Sequence, residues 1–309
     1  MTTDQPAIIT GFGFDTDSAA PDLSDLDEVL ARIAASGASH AELSLCNHEL
    51  VAGGRILAER RRRLEQICAR HPLAYTVHGT LVVNFMDEAH LDLHKAICRS
   101  MLELCDAVGA GVMVQHPGIV PAQPAPALER LHAIEREALC EMADLAARYG
   151  VRIALETLFV EDAQRYTADP VRLAGLIAEI DHRQVCGTLD FSHAYIMTTF
   201  RGMDYLEALR AFAPCANHLH VHDSFGRPTT MARFVSHAEH IAFGMGDLHL
   251  PMGWGDIPWE RILPQLPIRS GTVMIVELPP HHWGELESCA ATARRFVEIV
   301  NRSQRPAAA

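Results

Sequence analysis

The chain has 309 residues, 49% hydrophobic and 21% charged, with 26 Lys and Arg against 39 Asp and Glu for a net charge of −13. That composition excludes a disordered chain, which cannot bury enough apolar surface to offset its entropy, and no apolar run approaches the ~20 residues of a membrane helix. The acidic balance, with Lys95 the sole lysine and Arg60-Arg61-Arg62-Arg63 the sole basic cluster, argues against a nucleic-acid phosphate surface.

Short apolar runs alternate with longer amphipathic segments along the whole chain. The runs are AIITGFG (7–13), AELSLC (41–46), AYTVHG (74–79), GVMVQH (111–116), VRIALE (151–156), QVCGTLD (184–190), NHLHVH (217–222) and TVMIVE (272–277). Between them, Leu91, Ile97, Met101, Leu102 and Leu104 make a helical stripe within 89–108, and Leu131, Ile134, Ala138, Met142 and Leu145 make another within 127–149. Strands alternating with helices predict βα units and a parallel sheet, and eight such units predict a closed (β/α)8 TIM barrel, α/β in class, as a single domain over 1–309. Gly11-Phe12-Gly13 is too short for the dinucleotide fingerprint of a Rossmann fold. The Pro/Ala stretch 121–126 sits inside one βα loop, 223–256 is a long loop insertion, and 304–309 is expected to be a frayed tail.

Eight scattered cysteines form no C-x-x-C pair, and the N-terminal MTTDQPAIIT lacks the features of a signal peptide. Both point to reduced thiols in a cytoplasmic protein. Histidine is the unusual count, at 18. In a barrel of this kind the active site lies at the C-terminal strand ends. Those ends carry His78, His116, Glu156, Asp190 with His193 three residues on, the set His218, His220 and His222, and Glu277, while the insertion adds Asp247 and His249. Packed carboxylates repel one another unless protons or a cation intervene. Imidazole and carboxylate together suit zinc or manganese, with iron also compatible.

These residues resemble the xylose-isomerase-like TIM-barrel superfamily, and within it the endonuclease IV family. The carriers are Val77-His78-Gly79-Thr80, His116-Pro117-Gly118, Leu155-Glu156-Thr157, Leu189-Asp190-Phe191-Ser192-His193, His220-Val221-His222-Asp223-Ser224, Asp247-Leu248-His249 and Val276-Glu277. The resemblance implies three divalent ions: a first on His78, His116 and Glu156, a second on Glu156, Asp190, His220 and Glu277, and a third on His193, Asp247 and His249. His220 is taken because it precedes Asp223 by three residues; His218 and His222 remain alternates, one of them sharing its face by strand alternation. Sugar isomerases and epimerases of the superfamily share the quartet Glu156, Asp190, His220 and Glu277 and usually lack the Asp-x-His unit. The loops after the second and fourth strands are not basic, so DNA is not the expected partner.

The primary expectation is hydrolysis of a small phosphate mono- or diester by a metal-activated hydroxide. Glu156 and Glu277 are the catalytic candidates, and Arg227 or Arg233 would add contacts to phosphate. The alternative is a sugar or sugar-phosphate isomerase or epimerase, with Glu156 and Glu277 as the acid/base pair. An iron oxygenase and a non-catalytic metal-binding protein rank below both. Trp254 is a candidate wall for a sugar ring, and His281-His282-Trp283, just past Glu277, falls at the barrel mouth. Glu42 faces either the barrel interior or the helix layer. A small phosphorylated or sugar-like substrate is the expected partner, with no membrane and a possible homo-oligomer.

Overall fold

A computed structural model describes residues 7–17, 19–231 and 234–303. All eight expected strands form: β1 (Ile9–Asp15), β2 (His40–Ser44), β3 (Ala74–His78), β4 (Val112–Gln115), β5 (Arg152–Glu156), β6 (Val185–Asp190), β7 (Ala216–Val221) and β8 (Thr272–Val276). They close a parallel barrel in the order β1-β8-β7-β6-β5-β4-β3-β2. Apolar side chains at Val77, Met113, Ile153, Leu189, Leu219 and Met274 are buried, as expected of strands covered on both sides.

The helices surround this barrel. They are α1 (Leu26–Ala35), α2 (Ala58–Cys68), α3 (Leu91–Val108), α4 (Ala125–Tyr149), α5 (Pro170–Ile180), α6 (Phe191–Arg201), α7 (Tyr205–Phe212), α8 (His237–Phe243), α9 (Trp259–Ile262) and α10 (Leu286–Ser303). The stripe within 89–108 becomes α3, whose buried face carries Cys98, Met101, Leu102, Leu104 and Cys105. α3 and α4 end at Gly109 and Gly150 in the left-handed conformation, which glycine adopts without a Cβ penalty. No described helix is long and apolar enough to cross a membrane.

Two expectations shift at the edges. The first strand runs on through Phe14 to Asp15, giving β1 an acidic end as well. The insertion 223–256 contains α8 and is pinned at its base, where Asp223 and Leu250 exchange backbone hydrogen bonds of 2.7 and 3.0 Å. The tail 304–309 and Arg233 lie outside the described residues.

Candidate active site

Register fixes which side chains meet at the barrel mouth. β6 and β7 align Asp190 with His220, β5 and β6 align Glu156 with Thr188, and β2 and β3 align Ser44 with His78. Asp190 also caps α6: its Oδ1 accepts from the His193 backbone N–H at 2.7 Å. The strand-end carboxylate therefore sets the next ligand candidate one helical turn away. Asp223 fixes the distal loop, accepting from the N–H groups of Gly253 (2.7 Å), Ser224 (3.0 Å) and Ile257 (3.3 Å). That loop presents Asp247 and His249, and His249 itself is held at φ 46°, a left-handed conformation that costs a non-glycine residue free energy and clusters at functional sites.

All nine expected ligand residues converge. Glu156 is the hub. Its Oε2 lies 3.3 Å from His78 Nε2 and 3.1 Å from His116 Nε2, and its Oε1 lies 3.1 Å from His220 Nδ1 and 3.2 Å from His193 Nδ1. His220 Nδ1 is also 3.3 Å from Glu277 Oε1 and 3.9 Å from Asp190 Oδ2, so the quartet Glu156, Asp190, His220 and Glu277 faces one point. His193 Nε2 and His249 Nε2 lie 3.1 and 2.8 Å from Asp247 Oδ2.

The sequence reading left three contributors out or undecided. His218, His220 and His222 all face the barrel interior: positions two apart on a strand share a face, so both neighbours of His220 do, and not just one. His222 joins His193, Asp247 and His249 in the third group, with its Nε2 3.0 Å from Asp190 Oδ2 and its ring stacked on His249 at 3.9 Å. Glu42 faces inward and is fully buried; it accepts from His220 Nε2 (2.8 Å), His218 Nε2 (3.1 Å) and Thr76 Oγ1 (3.0 Å). The bond to Glu42 occupies His220 Nε2 and leaves Nδ1 to face the quartet, the usual way a protein fixes the ligand nitrogen of an imidazole. Asp15, the acidic end of β1, lines the same cavity. Its signal in the sequence was Phe14-Asp15 directly after the first apolar run.

Electrostatics follow from burial opposed by close partners. Burial would raise Glu156, but His220, His116 and His193 outweigh it and hold the carboxyl well below its ordinary range. Burial likewise loses to His249 and His193 at Asp247, to His193 and His222 at Asp190, and to His220 and His218 at Glu42, so these carboxyls are lowered too. Glu277 is raised, because burial with repulsion from Asp190 and Glu156 exceeds the pull of His220 and His249. Asp15 is raised well above its ordinary value by burial and by Glu277. Burial opposes charge on the imidazoles, yet Glu156 lifts His78 to about 9 and Asp247 lifts His249 to about 10. His193 and His220 are also raised, the first by Asp190 and Asp247 and the second by Glu277 and Glu42, each against burial. His116 is lowered by burial.

The donor set fits divalent ions. Glu156 Oε2, Glu277 Oε2 and Asp247 Oδ1 are buried and receive no hydrogen bond of usable geometry. Many of the imidazole–carboxylate separations exceed the ~2.7–2.9 Å of a charge-assisted hydrogen bond. They match instead the edge of a coordination tetrahedron, about 3.3 Å for metal–ligand bonds of ~2.0–2.1 Å. The groups line a cavity of ≈ 410 Å³ whose other walls include Leu81, Ile119, Leu158, Phe159 and Leu248.

Two expected substrate contacts fall elsewhere. Arg227 does not line the cavity; its Nη1 donates to the Phe243 carbonyl at 3.2 Å and its guanidinium lies over Phe225. Trp254 is half exposed outside the cavity, edge-on to His282 at 5.3 Å. Arg233 lies outside the described residues. Among the described residues no Arg or Lys lines the cavity.

A closed parallel barrel thus gathers, at its C-terminal mouth, imidazoles and carboxylates that could hold a metal ion. The sequence pattern of the Xylose isomerase-like TIM barrel family matches residues 30–299, and the chain belongs to that family. A curated relative, the uncharacterized protein MJ1311 of Methanocaldococcus jannaschii, is 22% identical over 216 residues, which cover 70% of this chain and 66% of that protein. Among solved structures, a D-tagatose 3-epimerase-like protein is 19% identical with a TM-score of 0.71, covering 96% of this chain and 100% of that one. The IolI protein, solved with a bound zinc atom, is 19% identical with a TM-score of 0.67 and the same coverage.

Proposed function

We propose that the protein is a divalent-metal-dependent isomerase or epimerase acting on a small, unphosphorylated, carbonyl-bearing polyol. One observation carries this reading: the cavity gathers Glu156 and Glu277 around one point, has an apolar wall, and contains no guanidinium or ammonium among the described residues. Carboxylates accept hydrogen bonds from hydroxyls and imidazoles accept or donate them, and Leu158, Phe159 and Leu248 give the C–H face of a sugar a surface to lie on. A phosphate group would find no Arg or Lys among the described residues of the cavity wall. The likeness to a sugar 3-epimerase-like fold points the same way.

Glu156, Asp190, His220 and Glu277 would hold the central ion, which when bound polarises the substrate carbonyl and so acidifies the adjacent C–H. Glu156 takes a proton from that carbon on one side, and Glu277 returns one from the other. Asp190 orients His193 through the α6 cap, and Glu42 holds His220. The apolar wall limits water at the reacting carbon.

Hydrolysis of a small phosphate ester remains the second reading, favoured by one observation. His193, His222, Asp247 and His249 form a further ligand group beside the quartet, which a single-ion isomerase does not require. A panel of unphosphorylated ketoses and aldoses, run beside sugar phosphates and chromogenic phosphate esters with added zinc or manganese, separates the two. Interconversion of free sugars supports the proposal. Release of inorganic phosphate without interconversion overturns it.

A further inference from the structure

A second group of imidazoles meets at the rim, apart from the carboxylate-lined floor. His237 opens α8, and His281 and His282 lie in the turn Pro280–Glu285 that follows β8. One nitrogen of each lies within 4.8 Å of the others. The rings of His237 and His281 are 4.7 Å apart, and those of His281 and His282 are 4.2 Å apart. His237 and His281 are exposed, whereas His282 is only 8% exposed and its buried Nε2 has no partner. An unpartnered buried nitrogen carries a cost, and this one belongs to a side chain clustered with two other imidazoles.

We propose that His237, His281 and His282 form a zinc site, separate from the cavity floor, that ties the α8 segment to the turn after β8. The group offers three imidazoles and no carboxylate. Imidazole donors suit zinc, copper or nickel, whereas magnesium, calcium and manganese prefer oxygen. Three protein nitrogens leave a fourth tetrahedral position for water or a substrate group. A bound ion would hold the three nitrogens at a coordination edge of about 3.3 Å. His237 and His281 also line the cavity, so an ion there would tie the two segments at its entrance. The site does not rest on the reaction proposed above.

The test uses the full-length protein saturated with zinc and freed of excess metal by gel filtration. Metal content is measured by mass spectrometry for wild type and for His237→Asn and His281→Asn, both at exposed positions where the fold is retained. Each variant is expected to hold one zinc per chain fewer. Zinc should slow amide hydrogen exchange over 237–243 and 280–285 in the wild type alone, and magnesium should not. Equal zinc content in wild type and both variants, or equal slowing in all three, overturns the proposal. Glu156→Gln, which removes a floor ligand, should keep the rim equivalent, so failure of the floor site and failure of the rim site give different results.

Discussion

Replacing Glu42 by Gln keeps the shape of a fully buried side chain and removes its charge. The carboxylate accepts from His220 Nε2 at 2.8 Å on one oxygen, and from His218 Nε2 at 3.1 Å and Thr76 Oγ1 at 3.0 Å on the other. An amide has one acceptor end and one donor end, so one of the two imidazole N–H groups must face an NH2. If that imidazole is His220, its proton moves to Nδ1, the atom that faces Glu156, Glu277 and Asp190. The ligand lone pair is then lost. If it is His218, the proton moves to an Nδ1 that is buried without a partner. The first outcome costs the ligand directly and the second strains the buried layer behind it, and losses at such orienting residues run to about 10–100-fold in metal affinity, or roughly 1.4–2.7 kcal/mol. Competition with a chromogenic chelator, on refolded and circular-dichroism-matched samples, measures it. Thr76→Val, which removes one hydroxyl donor and no charge, should lose much less. A Glu42→Gln variant that binds zinc and manganese as tightly as wild type would refute the orienting role.

The remaining expectations concern protons, the loop and the acid/base pair. In metal-free protein His78 is raised to about 9 and His249 to about 10 from the ordinary 6.5. A raised imidazole stabilises the fold fully below its unfolded value and loses that contribution as pH rises through the folded one. The metal-free Tm should therefore fall between pH of about 6.5 and about 10. The zinc-loaded Tm should not follow, because binding displaces those protons; parallel slopes in a thermal-shift series would contradict this. Gly255→Ala would place a Cβ against the Ser224 backbone and the Asp223 carboxylate. It should cost about 1–3 kcal/mol and loosen metal held by Asp247 and His249, and chemical denaturation with unchanged stability would count against the loop anchor. Glu277→Gln should cut turnover about 10²–10⁴-fold while a substrate analogue still binds, as read by calorimetry. Activity near wild type would remove Glu277 from the proton-transfer pair.

The barrel was legible because each buried strand is a short apolar run bounded by polar residues, and a helix pattern fills every gap. The nine converging residues were legible because strand ends in such a barrel point to one mouth, so residues far apart in sequence such as His78 and Glu277 need only sit at the right end of a strand. Glu42 was not: it lies two residues before the end of β2, and one strand pattern cannot say which face points inward until its neighbours are in register. His222 was passed over because only one histidine of three fitted the spacing to Asp223, although alternation places all three on one face. Arg227 drew attention as a cation on a long loop, but the structure spends it on the Phe243 carbonyl.

Solvent exchange at the reacting carbon examines the proposed chemistry most directly. The metal-loaded protein is incubated in deuterium oxide with individual unphosphorylated ketoses, and the sugars are recovered for proton NMR. Proton removal by Glu156 and return by Glu277 predict deuterium at the carbon beside the carbonyl of at least one sugar, absent in Glu156→Gln and in chelator-treated protein. No deuterium in any free sugar, together with metal-dependent release of phosphate from an ester, would contradict it.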